Sequence, residues 1–263
     1  MNFRNGAVCL NIEIEGINIH YLIIGTAEKN LLFLHGWGVD TTAYASLLEH
    51  LAKTHRVVAL DLPGFGKSTE PNAWFTRDYA VFVEKFCQKI GLVEIDVLMG
   101  HSFGGKTIIQ LVSDENSLEI NKIILLDASG VKPKRSFGYY RKVYAFKLMK
   151  QAAKLPLVSS AFRKKISEKR ANSGSSDYRN ASDNLKKTFV QVVNEDLTPV
   201  FCKNRHNTLL IWGENDTATP LSDGRLMEKN MPNAGLAVIK HAGHYPFFDN
   251  PSQFYAVLNV FLA

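Results

Sequence analysis

The chain has 263 residues, 46% of them hydrophobic and 21% charged, with a formal net charge of +6. This is enough chain for a full core in one domain with room for an inserted subdomain, in the balance of a soluble globular protein. No run approaches the roughly 18 apolar residues needed to span a bilayer. Met1 to Leu10 also lacks the apolar stretch of a signal peptide, so a cytoplasmic protein is expected.

Strand-like and helix-like runs alternate along the chain. Residues 7–14 and 18–25 read as a hairpin around Glu15-Gly16. Leu31 to Leu34 is a short buried strand that ends at His35-Gly36-Trp37-Gly38. Thr42 to Lys53 reads as a helix, Val57 to Leu60 as a strand, and Arg77 to Ile90 as a helix. Strands follow at Ile95 to Met99 and Ile123 to Asp127, with a helix from Gly105 to Val112 between them. Thr208 to Trp212 and Ala237 to Ile239 are the last strands; helical stretches lie around Leu226 to Asn230 and over Pro251 to Leu262. Apolar runs without alternation indicate strands buried on both faces, hence a mostly parallel sheet covered by helices.

Residues 131–205 break the alternation. They are helical in composition, carry Pro133, Pro156 and Pro199, and show no strand signal. Such an insert in a sheet protein is expected to form a lid over the strand ends. Cys9, Cys87 and Cys202 are far apart and odd in number. They show neither metal nor disulfide spacing, and all three read as buried, inert thiols.

The candidate chemistry centres on Gly100-His101-Ser102-Phe103-Gly104, between an apolar strand and a helix. The glycines allow a turn so tight that the serine is pushed outward at its apex, the G-x-S-x-G nucleophile elbow. Taken alone, the pattern reads equally well as a serine in a turn. A serine hydroxyl needs a base, and the base needs a carboxylate to orient it. In parallel sheets such groups collect at the carboxyl ends of strands. Asp216 is the leading acid, four residues past a buried strand; Glu214 in the same loop and Asp127 at the end of the preceding strand are its rivals. His244 is the leading base, with Gly243 before it to free the backbone and Pro246 after it; His241 is its neighbour and rival. Backbone amides of Phe103, following the serine, and Trp37, in the glycine-flanked loop, are the candidate oxyanion hole.

Taken together, His35-Gly36-Trp37-Gly38, Asp61 to Ser68, Gly100 to Gly105, Gly213 to Asp216 and Gly243 to Pro246 resemble the α/β-hydrolase superfamily in order and spacing. The resemblance covers residues 18–130 and 206–263. It implies an eight-stranded, mostly parallel sheet flanked by helices, with Ser102, Asp216 and His244 in the family's chain order. It also implies a core of residues 1–130 and 206–263 and an inserted helical cap of residues 131–205 that selects the substrate. Epoxide hydrolases and haloalkane dehalogenases of this fold carry an aspartate at the elbow, and Ser102 argues against both. Asp61 to Ser68 contains Gly-x-Gly-Lys-Ser, but the glycine spacing is wrong for a phosphate-binding P-loop.

Charge concentrates in the insert. Residues 132–170 hold thirteen Lys and Arg against one acid, Glu168, so this segment is +12 and the remainder −6. Tyr140 and Tyr144, one helical turn apart among these charges, are the candidate substrate contacts. A solvated basic face, a funnel for an anionic substrate and a contact with anionic lipid all fit this segment. No nucleic-acid reader motif accompanies it, and nucleic acid is not an expected partner. The expectation is a serine hydrolase of carboxylic esters or thioesters of a small molecule, with no metal or organic cofactor. Two alternatives stand: a carbon–carbon bond hydrolase of an acidic ring-cleavage product, and a non-catalytic ligand-binding protein of the same fold.

Overall fold

The computed structural model describes residues 6–133 and 181–263. Its strands are β1 (Val8–Ile14), β2 (Ile17–Ile24), β3 (Asn30–Leu34), β4 (Arg56–Leu60), β5 (Glu94–His101), β6 (Glu119–Leu126), β7 (Asn207–Gly213) and β8 (Ala234–Ile239). The described helices are α1 (Ala45–Leu51), α2 (Thr76–Ile90), α3 (Phe103–Ser113), α4 (Asp183–Asn194), α5 (Leu221–Asn230), α6 (Pro246–Asp249) and α7 (Pro251–Leu262). The strands form one sheet in the order β1-β2-β4-β3-β5-β6-β7-β8. Only β2 runs against the others, because it is antiparallel to both β1 and β4 while the remaining pairs are parallel. The expected eight-stranded, mostly parallel sheet is therefore present.

The continuous apolar runs divide by period two. Leu32, Leu34, Val58, Leu60, Leu98, Ile123, Leu125 and Trp212 face one side, with Val83 and Phe86 of α2, Ile108 of α3 and Met227 of α5. Leu31, Phe33, Val57, Ala59, Val97, Met99, Ile124 and Ile211 face the other, with Leu47 and Leu51 of α1 and Phe254 and Leu258 of α7. Each of β3 to β7 thus has an apolar partner on both faces, which is why these strands read as continuous apolar runs.

The structure adjusts several expected elements. The first helix begins as a 3₁₀ turn, Thr41–Tyr44, whose Thr42 amide is capped by the Asp40 side chain at 2.9 Å. The short helix α6 was not expected. Cys87 is buried, as read from sequence, and burial pushes its thiol up to about 12; Cys9 and Cys202, however, are exposed. Cys9 lies on β1 at the sheet edge and Cys202 on an outer 3₁₀ turn, so neither position needed an apolar partner.

Of the insert, residues 134–180, including Tyr140, Tyr144 and nearly all of the basic segment, lie outside the described residues. Its returning end is described. Val192, Leu197 and Phe201 join the same apolar cluster as α2 and α3, so the chain is tied into the body well before residue 206. Among the described residues no helix is long and apolar enough to cross a membrane.

Candidate active site

The loops that leave β3, β5, β6, β7 and β8 at their carboxyl ends meet around one cavity of about 830 Å³. Trp37, Ser102 and Phe103, Ser129, Thr219 and His244 border it, from five different loops or helix starts. This is where an open parallel sheet places a site.

Ser102 stands between β5 and α3 with φ 51° and ψ −108°, a left-handed conformation rare for a residue with a side chain. Such backbone strain costs about 1–3 kcal/mol and persists only where surroundings enforce it. Here the Ser102 amide donates to Leu126 O at 2.9 Å, and Ser102 O accepts from the amides of Lys106 at 3.1 Å and Ser129 at 3.0 Å. A Cβ at position 104 would overlap the carbonyl oxygen of Leu34, so glycine there lets α3 start directly against β3. The elbow is thus a consequence of close backbone packing.

The three candidate acids separate cleanly. Asp216 Oδ2 accepts from His244 Nδ1 at 2.7 Å; the acid side chain is fully buried and the histidine 20% exposed. Asp216 also accepts from Thr219 Oγ1 at 2.7 Å and from the amides of Ala218 at 2.7 Å and Thr219 at 3.1 Å. Burial works against its ionisation, but the bonds from His244 and Thr219 outweigh it and hold the carboxyl below its ordinary value. Glu214 is turned outward, paired with Lys240 at 3.1 Å and with the His241 amide at 3.1 Å. Asp127 is buried behind Asp216 and accepts from the Gly213 amide at 2.8 Å, while its Oδ2 meets no donor among the described residues. Burial pushes Asp127 up to about 9, reinforced by the negative charge of Asp216 and opposed by the Gly213 bond.

Asp127, Asp216 and His244 each bring one potential ligand atom within 4.8 Å of the others. Two ligands of a tetrahedral zinc ion, each ~2.1 Å from it, would stand about 3.4 Å apart. The 2.7 Å between Asp216 and His244 is hydrogen-bond rather than coordination geometry.

His241 is exposed and lies outside this group. The freedom expected of Gly243 falls elsewhere: the residue does not adopt a positive φ, and a Cβ there would meet only ordinary contact. The demand is at Gly213, where a Cβ would overlap the carbonyl oxygen of Gly243, so this glycine is what lets the loops of Asp216 and His244 close on each other. Ser102 and His244 share the cavity, and no hydrogen bond joins their side chains among the described contacts. Catalytic hydrogen bonds are often loose without substrate.

Trp37 and Phe103 border the cavity, and among the described residues neither amide donates to a protein acceptor. The Trp37 loop is held from below. Leu62 N donates to His35 Nε2 at 2.8 Å, so His35 Nδ1–H donates to Gly36 O at 2.7 Å. The Trp37 ring packs edge-on against Phe65, Phe103 and Phe189 at 4.9, 5.3 and 5.2 Å between centroids. The Asp61 to Ser68 segment is a structural turn. Asp61 accepts from Thr41 N and Oγ1 at 3.0 and 2.8 Å and from Lys67 N at 3.1 Å, bonds that outweigh its burial and hold it below its ordinary value.

Three residues at the site went unread in the sequence. His101 and Tyr44 form a bridge between the Trp37 loop and the His244 loop: Gly36 N donates to Tyr44 Oη at 3.1 Å, and Tyr44 Oη lies 2.7 Å from His101 Nδ1. Lys106 lies buried on the cavity wall. Its signal in the sequence was the one charged residue in the Phe103–Ser113 helix.

An eight-stranded, mostly parallel sheet with a strained serine at the β5–α3 elbow and a carboxylate-bonded histidine after the last strand is the architecture of an α/β hydrolase. The chain belongs to the alpha/beta hydrolase fold family, whose profile matches residues 29–251. It is 26% identical to the dihydrolipoyllysine-residue acetyltransferase component of the acetoin cleaving system of Cupriavidus necator, over 94% of this chain and 67% of that protein. It is 24% identical to a 2-hydroxy-6-oxononadienedioate/2-hydroxy-6-oxononatrienedioate hydrolase of Dechloromonas aromatica, over 94% of this chain and 91% of that protein. Among solved structures, an esterase from Exiguobacterium antarcticum superposes with a TM-score of 0.72 at 22% identity, covering 94% of this chain and 96% of the esterase. At that identity the likeness is one of fold.

Proposed function

We propose that this α/β hydrolase is a serine hydrolase that cleaves carboxylic esters or thioesters of a small molecule through an acyl-enzyme. The observation that carries the reading is the 2.7 Å bond from His244 to the buried Asp216, on the same cavity as the elbow serine. In this reading Ser102 Oγ attacks the substrate carbonyl while His244 Nε2 takes its proton. Asp216 holds Nδ1 protonated and steadies the imidazolium. The unspent amides of Trp37 and Phe103 receive the oxyanion. The C–O or C–S bond then breaks, and the leaving group takes the proton from His244. Water repeats the sequence on the acyl-serine, releasing the carboxylic acid and free Ser102. The organic and metal cofactors of other hydrolases have no role in these steps.

The cap reading of residues 131–205 is supported by α4, which supplies Phe189, Val192 and Val193 to the cavity wall. A second reading, cleavage of a carbon–carbon bond in an acidic ring-cleavage product, is favoured by likeness to the Dechloromonas dienedioate hydrolase and by the buried Lys106. The direct test is labelling with a small fluorophosphonate followed by peptide mapping. Modification at Ser102 that disappears in Ser102→Ala, together with loss of p-nitrophenyl ester turnover, is the expected result. Equal turnover by wild type and Ser102→Ala overturns the serine mechanism.

A further inference from the structure

Lys106 is a buried charged side chain on the wall of the cavity that holds Ser102. It lies on α3, four residues after Ser102, and is only 3% exposed. Its Nζ donates to Val192 O at 2.5 Å and to Glu195 O at 2.9 Å, the carbonyls at the C-terminal end of α4. Carbonyls there carry partial negative charge and suit a cation. They are nevertheless neutral acceptors, and no ion pair among the described residues includes Lys106. The nearby acids are committed elsewhere. The Glu195 carboxylate accepts from Thr76 N and Thr76 Oγ1, and Asp196 accepts from Thr198 N and Oγ1 at 3.1 and 2.7 Å.

An ammonium has three donors, and two are used among the described residues. The same residue borders the cavity that holds Ser102, with Lys132 also at its wall. The acidic lining residue, Asp223, is on the opposing helix α5, where Ser222 Oγ contacts it at 3.4 Å. Burial pushes Lys106 down to about 8, against the pull of Glu195 and Asp196. A bound anion would supply the counter-charge that no ion pair among the described residues gives Lys106. In a site shielded from water such a pair is far stronger than at a surface.

We propose that Lys106 reads an anion in the site: fixed by the carbonyls of Val192 and Glu195, its ammonium receives a carboxylate carried by the substrate, which makes the substrate an acidic ester or a related acidic acyl compound. The inference rests on the hydrolase reading for its reaction, but not for its binding. A tether from α3 to α4 alone would need the two carbonyl contacts and nothing more.

The test compares esters that differ by one carboxylate. The ratio of kcat/KM for p-nitrophenyl glutarate monoester to that for p-nitrophenyl pentanoate is measured in wild type, Lys106→Met and Lys106→Arg. A second pair, 4-carboxyphenyl and phenyl butyrate, places the charge on the alcohol side. Any loss of folded protein cancels from each ratio, because both esters of a pair are turned over by the same molecules. The expected result is that Lys106→Met lowers one of the two ratios at least tenfold, chiefly through KM, and that Lys106→Arg restores much of it. Ratios unchanged in both pairs overturn the proposal and leave Lys106 a tether. If the wild type hydrolyses none of the esters, the ester reading fails. The anion site is then judged by calorimetric binding of glutarate against pentanoate: preference for glutarate lost in Lys106→Met supports it, and equal binding in the two proteins overturns it.

Discussion

His101 Nε2 lies 2.7 Å from the backbone carbonyl of His244, a residue 143 positions further along the chain. A carbonyl can only accept, so Nε2 carries the proton and Nδ1 must accept from the Tyr44 hydroxyl, which in turn accepts from Gly36 N. Burial, helped by neighbouring His244, pushes the His101 ring down to about 3, which keeps it neutral and this arrangement fixed. The residue beside Ser102 thereby links the candidate oxyanion loop to the loop of the candidate base.

His101→Phe is expected to keep the ring's volume and break this link. It leaves the Tyr44 hydroxyl and the His244 carbonyl without their partner, at about 1–3 kcal/mol for each group left unsatisfied. We expect a lower melting temperature together with a fall in kcat of about tenfold or more, the equivalent of ~1.4 kcal/mol at the transition state. His101→Gln, which can donate and accept, should recover part of the kcat. Equal kcat in wild type and His101→Phe would show that the bridge does not position His244.

Asp216→Asn tests the bond that carries the proposed mechanism. The substitution preserves shape but turns the preferred tautomer of His244, and comparable changes in serine triads cost about 10⁴ in kcat. Steady-state ester hydrolysis should show this loss with little change in KM. Glu214→Gln, on the outward-facing rival, should leave kcat within about twofold, because its partners are Lys240 and the His241 amide and exposed ion pairs contribute little.

The Asp127–Asp216 pair predicts a pH dependence of stability. Asp127 has its folded pKa raised to about 9, while an unfolded aspartate titrates near ~3.9. Its contribution is therefore fully present below pH ~4 and is lost as pH rises toward 9. Asp216, with its pKa lowered, works the other way: its contribution is present above pH ~4 and lost in acid. Asp127→Asn stays neutral at every pH. Urea unfolding at pH 5, 7 and 9 should show wild type losing stability relative to Asp127→Asn as pH rises. Parallel stability curves would mean that Asp127 is ionised in the fold.

Gly104→Ala should be severe for its size. The added methyl overlaps Leu34 O, a backbone atom of the central strand β3, so relief requires moving β3 or α3. We expect about 3 kcal/mol of destabilisation, or a melting temperature ~6–12 °C lower at 2–4 °C per kcal/mol. Fluorophosphonate labelling of the fraction that remains folded should also slow, because the Ser102 conformation depends on this approach.

Much of the fold was legible because it is written locally. Strands such as Leu31–Leu34 and Ile123–Leu126 are continuous apolar runs, and a strand with helices on both faces has no solvent side to mark with polar residues. The two-residue Glu15–Gly16 turn closing the Ile14–Ile17 pair was likewise visible. Cys9 and Cys202 were misread because exposure depends on whether a neighbouring strand or helix covers the position, and their sequence neighbours carry no such information. Gly243 was misread because a glycine's necessity is set by what approaches it. The close approach falls on Gly213, from a loop 30 residues away in the chain.

The sequence by itself determined the family pattern, the order of strands and helices, and a short set of candidates: Ser102, three acids and two histidines. Those choices depend on residue type and on spacing along one strand and its loop, which the chain records directly. Only the tertiary structure decided that Asp216 is the acid hydrogen-bonded to His244, that Asp127 lies buried behind it, and that His101, Tyr44 and Lys106 line or brace the same cavity. Each depends on distances between loops tens to hundreds of residues apart, and on which charges are sealed from water. A carboxylate or an ammonium acquires its role from its surroundings, and those exist only once the sheet has brought its strand ends together.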